Sequence, residues 1–134
     1  MTHTLTRQWM FGAKMQRDNG IALESFVVEV TFQSQHLTEN GLIIEPSELE
    51  QITNLIRELF VNRILNHLVS TPLTIHTLTK MLYVMIFNMV NDPEGAEYQL
   101  PDGTIFSGNM NLPDQTGLHK VRVMVGHNTW AEYR

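Results

Sequence analysis

The sequence contains no cysteine, which excludes disulfide bonds, thiolate metal ligands and a thiol nucleophile. Basic residues are also few: nine Lys and Arg stand against fourteen Asp and Glu, for a net charge of −5. The basic residues are scattered, which argues against nucleic acid or an anionic membrane surface as a partner. The longest apolar run is far shorter than a membrane span, and the first residues lack the apolar core of a signal peptide. We therefore expect a cytoplasmic protein.

The composition is typical of one ordinary globular domain. The chain has 134 residues, of which 43% are hydrophobic and 17% charged. This length is sufficient to bury a core, and the low charge leaves room for an apolar subunit interface.

Two strand-like segments, residues 5–15 and 24–35, flank a polar break at residues 16–20. In the second segment Phe26, Val28, Val30 and Phe32 alternate with polar or smaller side chains, which is the period of a half-buried strand. The turn pair within the break, Asn19-Gly20, favours an antiparallel hairpin. If the chain has a catalytic centre, we expect it at this break.

Two helices are predicted next, followed by further strands. A short strand is predicted at residues 42–44, a hairpin at 97–106 and a last strand at 118–125. The helices should begin near Pro46 and Thr74, because apolar residues recur at helical spacing after each. These stripes are Leu49, Ile52, Leu55, Ile56, Leu59 and Phe60, and then Leu78, Met81, Leu82, Met85, Ile86 and Met89. The order of elements predicts an α+β fold.

Four segments, in this order, resemble the 6-pyruvoyl-tetrahydropterin synthase and 6-carboxytetrahydropterin synthase family. Residues 41–49, GLIIEPSEL, are similar to the family's G-x-I-x-D-F-x-x-L, and residues 65–67, LNH, to its L-D-H. The third is the Thr-Pro pair at 71–72, and the fourth is residues 121–133, VRVMVGHNTWAEY, similar to V-x-V-x-E-T with a trailing A-x-Y. The resemblance covers nearly the whole chain except residues 93–116.

The resemblance implies a T-fold, in which an antiparallel sheet of four strands carries two helices on one face. It also implies trimers that form a barrel and stack as hexamers. Family active sites lie between subunits and bind a pterin precursor, dihydroneopterin triphosphate, with zinc held by three histidines. We therefore expect one T-fold domain over residues 1–134, with residues 93–116 as an inserted hairpin and connector.

The family's zinc histidines are missing here. Where the family has F-x-A-x-H, residues 11–15 read FGAKM, so Met15 takes the place of the first histidine. Asp18 then aligns with the family's cysteine, and Ala22 and Glu24 align with the other two histidines. A catalytic zinc site takes about three protein ligands, and Glu24 is the one residue here that could still serve as one, so we expect no zinc and no other cofactor. A metal held by rearranged ligands is left open.

Other site positions are partly retained. Asn66 replaces the aspartate of the catalytic Asp-His pair and His67 persists, while the pterin-anchoring glutamate aligns with Val125 or, one residue on, Gly126. His127 lies beside that anchor position. We take Asn66, Val125, Gly126 and His127 as candidate ligand-binding residues.

Asp18, Glu24 and His67 are the candidate catalytic residues, as a new acid–base cluster in the old cleft. The competing interpretation is structural: a turn residue, the start of a strand and a histidine between helices.

Two further pairs have alternative interpretations. Lys14 and Arg17 suit a phosphate but also suit a solvated turn. Trp130 and Tyr133 suit a planar ligand but also suit a subunit contact.

Two functions from different classes follow. The first is a homo-oligomeric protein that has lost the zinc chemistry and acts as a small-molecule-binding or assembly subunit for a pterin-like or other planar molecule. The second is an active lyase with a rearranged acid–base site. A structural partner of an intact family member, in mixed oligomers, is a third possibility.

Overall fold

The structure is a computed structural model that describes residues 2–37, 41–60, 63–69, 72–92, 96–126 and 128–134. Six strands and two α-helices follow one another along these residues. In chain order the elements are β1 (His3–Arg17), β2 (Gly20–Ser34), α1 (Pro46–Phe60), a 3-10 turn (Leu65–His67), α2 (Ile75–Asn91), β3 (Ala96–Gln99), β4 (Ile105–Gly108), β5 (Thr116–Val125) and β6 (Thr129–Tyr133). The predicted α+β class and both helices are confirmed.

The main sheet has four strands in the order β1-β2-β5-β6, and every neighbouring pair is antiparallel. The β1–β2 hairpin is longer than predicted, because pairing continues until Arg17 faces Gly20. The turn therefore takes two residues rather than five. The polar break was an unreliable boundary because backbone hydrogen bonds extend a hairpin without apolar side chains.

One face of this sheet forms the core. Trp9, Val28, Val123 and Ala131 are direct cross-strand neighbours, and all four are buried. Helix α1 covers the same face, since the Trp9 indole Nε1 donates to Thr53 Oγ1 at 2.9 Å, and α2 packs against β5 and β6. The predicted stripes are confirmed as core in both helices, with Met81 only partly buried.

A β-bulge interrupts the pairing of β2 with β5. Thr31 faces Lys120, but the next residue, Phe32, faces Leu118. His119 is therefore the extra residue on β5. Beyond the bulge, Leu118 packs against the core, although an uninterrupted strand would place it with Lys120 on the other face.

The predicted second hairpin is present as the two-stranded sheet β3–β4. It is held to α2, because the Tyr98 hydroxyl donates to the Val84 carbonyl at 3.1 Å. After the hairpin, the Met110 N–H donates to the Met89 carbonyl at 2.8 Å. Residues 93–95 lie outside the described residues, and the insertion of this hairpin relative to the family stays a prediction.

The strand predicted at residues 42–44 is wrong. Ile43 and Ile44 are buried, but this segment forms bends before α1. A short apolar run signals burial and does not by itself supply a strand partner. Strand β6 was not predicted, because Thr129–Tyr133 buries only Ala131 and carries little apolar alternation.

Neither helix within the described residues has the length and apolarity that crossing a bilayer requires.

Candidate functional site

A largely apolar cavity of about 240 Å³ lies at one end of the main sheet. It forms where β1 and β5 end and where β2 and β6 begin, and the start of α2 closes one side. Seven of its ten lining residues are apolar, and Arg17 is the one charged residue among them. The lining consists of Met15, Arg17, Phe26, Leu65, Leu73, Thr74, Ile75, Leu78, Val125 and Thr129.

The positions that align with the zinc histidines are neighbours on the core-facing side of the hairpin. Met15 faces Ala22 directly across β1 and β2. Glu24 is two residues beyond Ala22 on the same strand, so it shares that face. The pairing places a thioether, a methyl group and a carboxylate together, and this set does not fit zinc, which is bound by thiolate, imidazole and carboxylate.

Glu24 is engaged by a neighbouring cation. Its Oε1 accepts a hydrogen bond from Nη2 of Arg17, and the same nitrogen is 4.0 Å from Met15 Sδ. The ion pair is open to solvent, with side-chain exposures of 47% for Arg17 and 27% for Glu24. The expected position of Glu24 at the start of a strand is wrong, since β2 begins at Gly20.

Asn66 attaches the 3-10 turn to the end of β1. Its Oδ1 accepts from the Gln16 N–H at 2.8 Å, and its Nδ2 donates to the Gln16 carbonyl at 3.4 Å. The preceding Leu65 is buried and forms part of the cavity wall. Asn66 therefore holds the wall in place.

His67 follows Asn66 and is exposed. Its backbone N–H donates to the Ile64 carbonyl at 3.0 Å, within the turn. The turn connects α1 to α2 in the chain, and a structural role for the imidazole between the helices stays a prediction.

The start of α2 forms the opposite wall. Thr74 caps the helix: its hydroxyl accepts from the Thr77 N–H at 3.1 Å, and the Thr77 hydroxyl accepts from the Thr74 N–H at 2.8 Å. Leu73 before the cap, and Ile75 and Leu78 after it, face the cavity. The reciprocal cap fixes the first turn of α2, and with it the position of these apolar side chains.

Asp18 lies in the exposed hairpin turn and is not part of the cavity lining. The described residues contain no group of three His, Cys, Asp or Glu placed to hold one metal ion. Of the three candidate catalytic residues, Glu24 is hydrogen-bonded to a lining residue, Arg17. The acid–base role of Asp18, Glu24 and His67 stays a prediction.

The two candidate anchor residues lie against different depressions. Val125 lines the cavity, while Gly126, at a positive φ of 67°, borders a wider depression of about 630 Å³ with Met10 and Met124 on the other side of the sheet. His127 lies outside the described residues.

The two residue pairs considered for ligand binding are each divided between the faces of the sheet. Lys14 alternates with Met15 and Arg17, so it is exposed on the side of the sheet that faces away from the core, the open face. The guanidinium of Arg122 stacks over Trp130 at 5.2 Å on that open face. Tyr133 packs against Tyr83 of α2, with ring centroids 4.8 Å apart.

Within the described parts of the chain, the side chains with shifted pKa values lie away from the cavity lining. Burial raises the pKa of Tyr98. Hydrogen bonds from Thr104 lower the pKa of Asp102, and the hydrogen bond from Arg134 lowers the pKa of Glu132.

Sequence reasoning missed Leu65, Leu73, Ile75 and Thr129 as cavity residues. Their signal was weak, because a leucine beside a polar turn or a helix cap indicates burial in the core and gives no indication of a cavity. No protein-family model matches this chain, and no curated protein is significantly similar to it.

Proposed function

We propose that this chain is a pterin-synthase-like T-fold protein that lacks the family's zinc-dependent lyase chemistry and binds a small molecule in the apolar cavity. One observation carries the proposal: Met15, which aligns with a zinc histidine, and Val125, one of the two positions that align with the pterin-anchoring glutamate, both line that cavity. The aligned site is thus a pocket for an apolar group.

The chemistry of the lining supports this change of role. A pterin presents a polar, guanidine-like edge that a carboxylate binds through charge-assisted hydrogen bonds. Val125 offers no such bond, and the nearby Glu24 is paired with Arg17. Apolar walls instead favour ligands that bury hydrocarbon or ring surface.

The proposal includes the setting in which the site works. We expect a cytoplasmic homo-oligomer, built from trimers and stacked as a hexamer, with no nucleic acid or membrane partner. Each chain would be one T-fold domain with residues 93–116 as an added hairpin.

Metal analysis combined with an activity assay tests the proposal. Protein purified in zinc-supplemented medium should contain no stoichiometric zinc and should leave dihydroneopterin triphosphate unchanged. A variant with Met15→His, Ala22→His and Glu24→His restores three imidazoles on neighbouring positions and serves as the positive control for zinc uptake. Stoichiometric, tightly held zinc in the unaltered protein would refute the zinc-free proposal.

One observation favours the lyase as a second candidate. Asn66 bonds to Gln16, the neighbour of Arg17, and so brings the turn that carries His67 to the same end of the sheet as Glu24. If the unaltered protein converts dihydroneopterin triphosphate, His67→Ala should abolish that turnover. Undiminished turnover in His67→Ala would remove this histidine from any catalytic role.

A further inference from the structure

Resting on the proposed binding function, we infer that the ligand is a small apolar monocarboxylate. Its hydrocarbon part would occupy the cavity, and its carboxylate would bind the guanidinium of Arg17 at the edge of the lining. This assigns the ligand class from the size, polarity and charge of the site.

The size of the cavity limits the hydrocarbon part. An apolar cavity of about 150 Å³ in a protein interior holds one benzene molecule. A cavity of about 240 Å³ therefore suits a ligand of about ten non-hydrogen atoms. That is smaller than a pterin triphosphate or a long-chain fatty acid.

The apolar cavity walls indicate that the part of the ligand inside the cavity is a hydrocarbon group. Phe26, Leu65 and Leu78 are buried core residues whose side chains also face the cavity. The hydroxyl of Thr74 is used in the helix cap. A polar ring would lose its hydrogen bonds to water against such walls, whereas an alkyl or phenyl group loses none.

The charge of Arg17 sets the head group. Its guanidinium already binds one carboxylate, that of Glu24, so its geometry at this site suits a carboxylate. The contacts described for the guanidinium use Nη2 alone, whereas an arginine has five N–H donors. An exposed ion pair adds little to stability, so Glu24 is readily displaced by a ligand that also buries apolar surface.

One cation favours a singly charged head group. Lys14 is exposed on the other face of the hairpin, so it does not add to the charge of Arg17. Two carboxylates lie near Arg17: Glu24 is on the same side of the hairpin, and Asp18 is the next residue, in the turn. A doubly charged phosphate would face this negative charge with a single arginine to offset it. The monocarboxylate is the better match.

Calorimetric titration of the full chain provides the test, with octanoate as the aliphatic probe and cinnamate as the aromatic probe. Octanamide and cinnamamide are the neutral controls of the same shape. Octanoate or cinnamate should bind at least about tenfold more tightly than its amide, since a hydrogen bond to a charged group has that effect. The preferred acid identifies the hydrocarbon part as alkyl or planar aromatic.

Substitutions locate the effect. Arg17→Met should remove the preference for acid over amide, and Glu24→Gln should strengthen acid binding severalfold because the competing carboxylate is gone. Lys14→Met is the matched control: it makes the same charge change on the same strand but on the other face, and it should leave the preference unchanged. Arg17→Lys, which keeps the charge, provides a second reading should Arg17→Met fail to fold, and it should weaken the preference.

The results separate this inference from the function on which it rests. Equal binding of acid and amide by the unaltered protein would overturn the assignment of a carboxylate while leaving a binding pocket. An acid preference that is undiminished in Arg17→Met, or in Arg17→Lys where Arg17→Met does not fold, would overturn it too. Absence of binding by all four probes would also overturn it. Zinc content and lyase turnover, measured separately, decide the fate of the proposed function.

Discussion

The side-chain amide of Asn66 both donates and accepts, and it uses both abilities on the backbone of Gln16. A carboxylate at this position could accept from the Gln16 N–H but could not donate to the Gln16 carbonyl. An asparagine is therefore better suited than an aspartate to holding the 3-10 turn against β1.

Arg17 and Glu24 show which features of the site could be predicted from single residues and which could not. Strand alternation places residues 15, 17, 22 and 24 on one side once the hairpin register is known. The register itself depended on how far the pairing continued through the polar segment, and the sequence does not specify that. Consequently, Glu24 was predicted as a site residue, but its ion pair with Arg17 was not.

The contribution of Asp102 to the free energy of unfolding is expected to depend on pH. Its Oδ1 accepts from the Thr104 N–H at 3.0 Å, and its Oδ2 accepts from Arg63 at 3.0 Å. The hydrogen bonds from Thr104, followed by the charge of Arg63, lower its pKa from 3.8. Because the folded-state pKa is lower than the unfolded one, this carboxylate stabilises the fold above about pH 4. That contribution is lost as the pH falls through the lowered pKa.

Asp102→Asn should therefore lower the urea midpoint at pH 7, and the difference from the unaltered protein should shrink as the solution is acidified below pH 4. Urea titrations at a series of pH values measure this, with Asp114→Asn, an exposed turn residue, as control. A difference that stays constant down to pH 2 would contradict the role given to the charge.

Helix α2 begins at a reciprocal cap, and this element joins the core to the cavity wall. Thr74 and Thr77 each satisfy a backbone N–H of the other. Thr74→Ala should reduce the free energy of unfolding by about 1 kcal/mol, because a helix N–H loses its partner. Urea unfolding followed by circular dichroism measures the loss.

The double variant Thr74→Ala, Thr77→Ala provides the control for this cap. Since the two side chains act together, the double variant should lose less than the sum of the two single variants. Full additivity would mean that the two threonines act independently, contrary to the described bonds.

At the level of elements, the sequence predicted those with strong periodicity. Both helices and the core strand β2 have long apolar patterns, so their existence was predictable. The structure of residues 42–44 and strand β6 were not predictable, because a short apolar run with two buried isoleucines does not indicate a backbone partner. A five-residue edge strand with one buried side chain has almost no pattern. The cavity lies beside the polar break at which a centre was expected, but most of its lining was not predicted. It is formed by four strand ends and the start of α2, and element ends are the least patterned positions.

At the level of the whole molecule, one face of the main sheet remains open. Met10 and Leu23 on this face are 83% and 75% exposed, and Trp130 is 55% exposed. Strands β1 and β6 form the two edges of the sheet. Exposed apolar side chains and edge strands are features that assembly covers.

We therefore predict an oligomer in solution. Sedimentation at micromolar concentration should give a mass several times that of the 15.4 kDa chain. Leu23→Lys, on the open face, should reduce the assembled fraction, whereas Glu50→Lys on the exposed side of α1 should not. A monomer in the unaltered protein would count against the expected hexamer.

The bulge at His119 makes β5 tolerant of one particular change in length. Because the bulge takes His119 out of the pairing, Leu118 packs against the core and Thr116 Oγ1 lies 2.6 Å from Ser34 Oγ. Removing His119 would bring Leu118 directly after Lys120, and the ordinary alternation of a regular strand would still place Leu118 opposite Phe32 on the core side. Among diverged relatives, a deletion of one residue should therefore be tolerated better at this point than elsewhere in the strand.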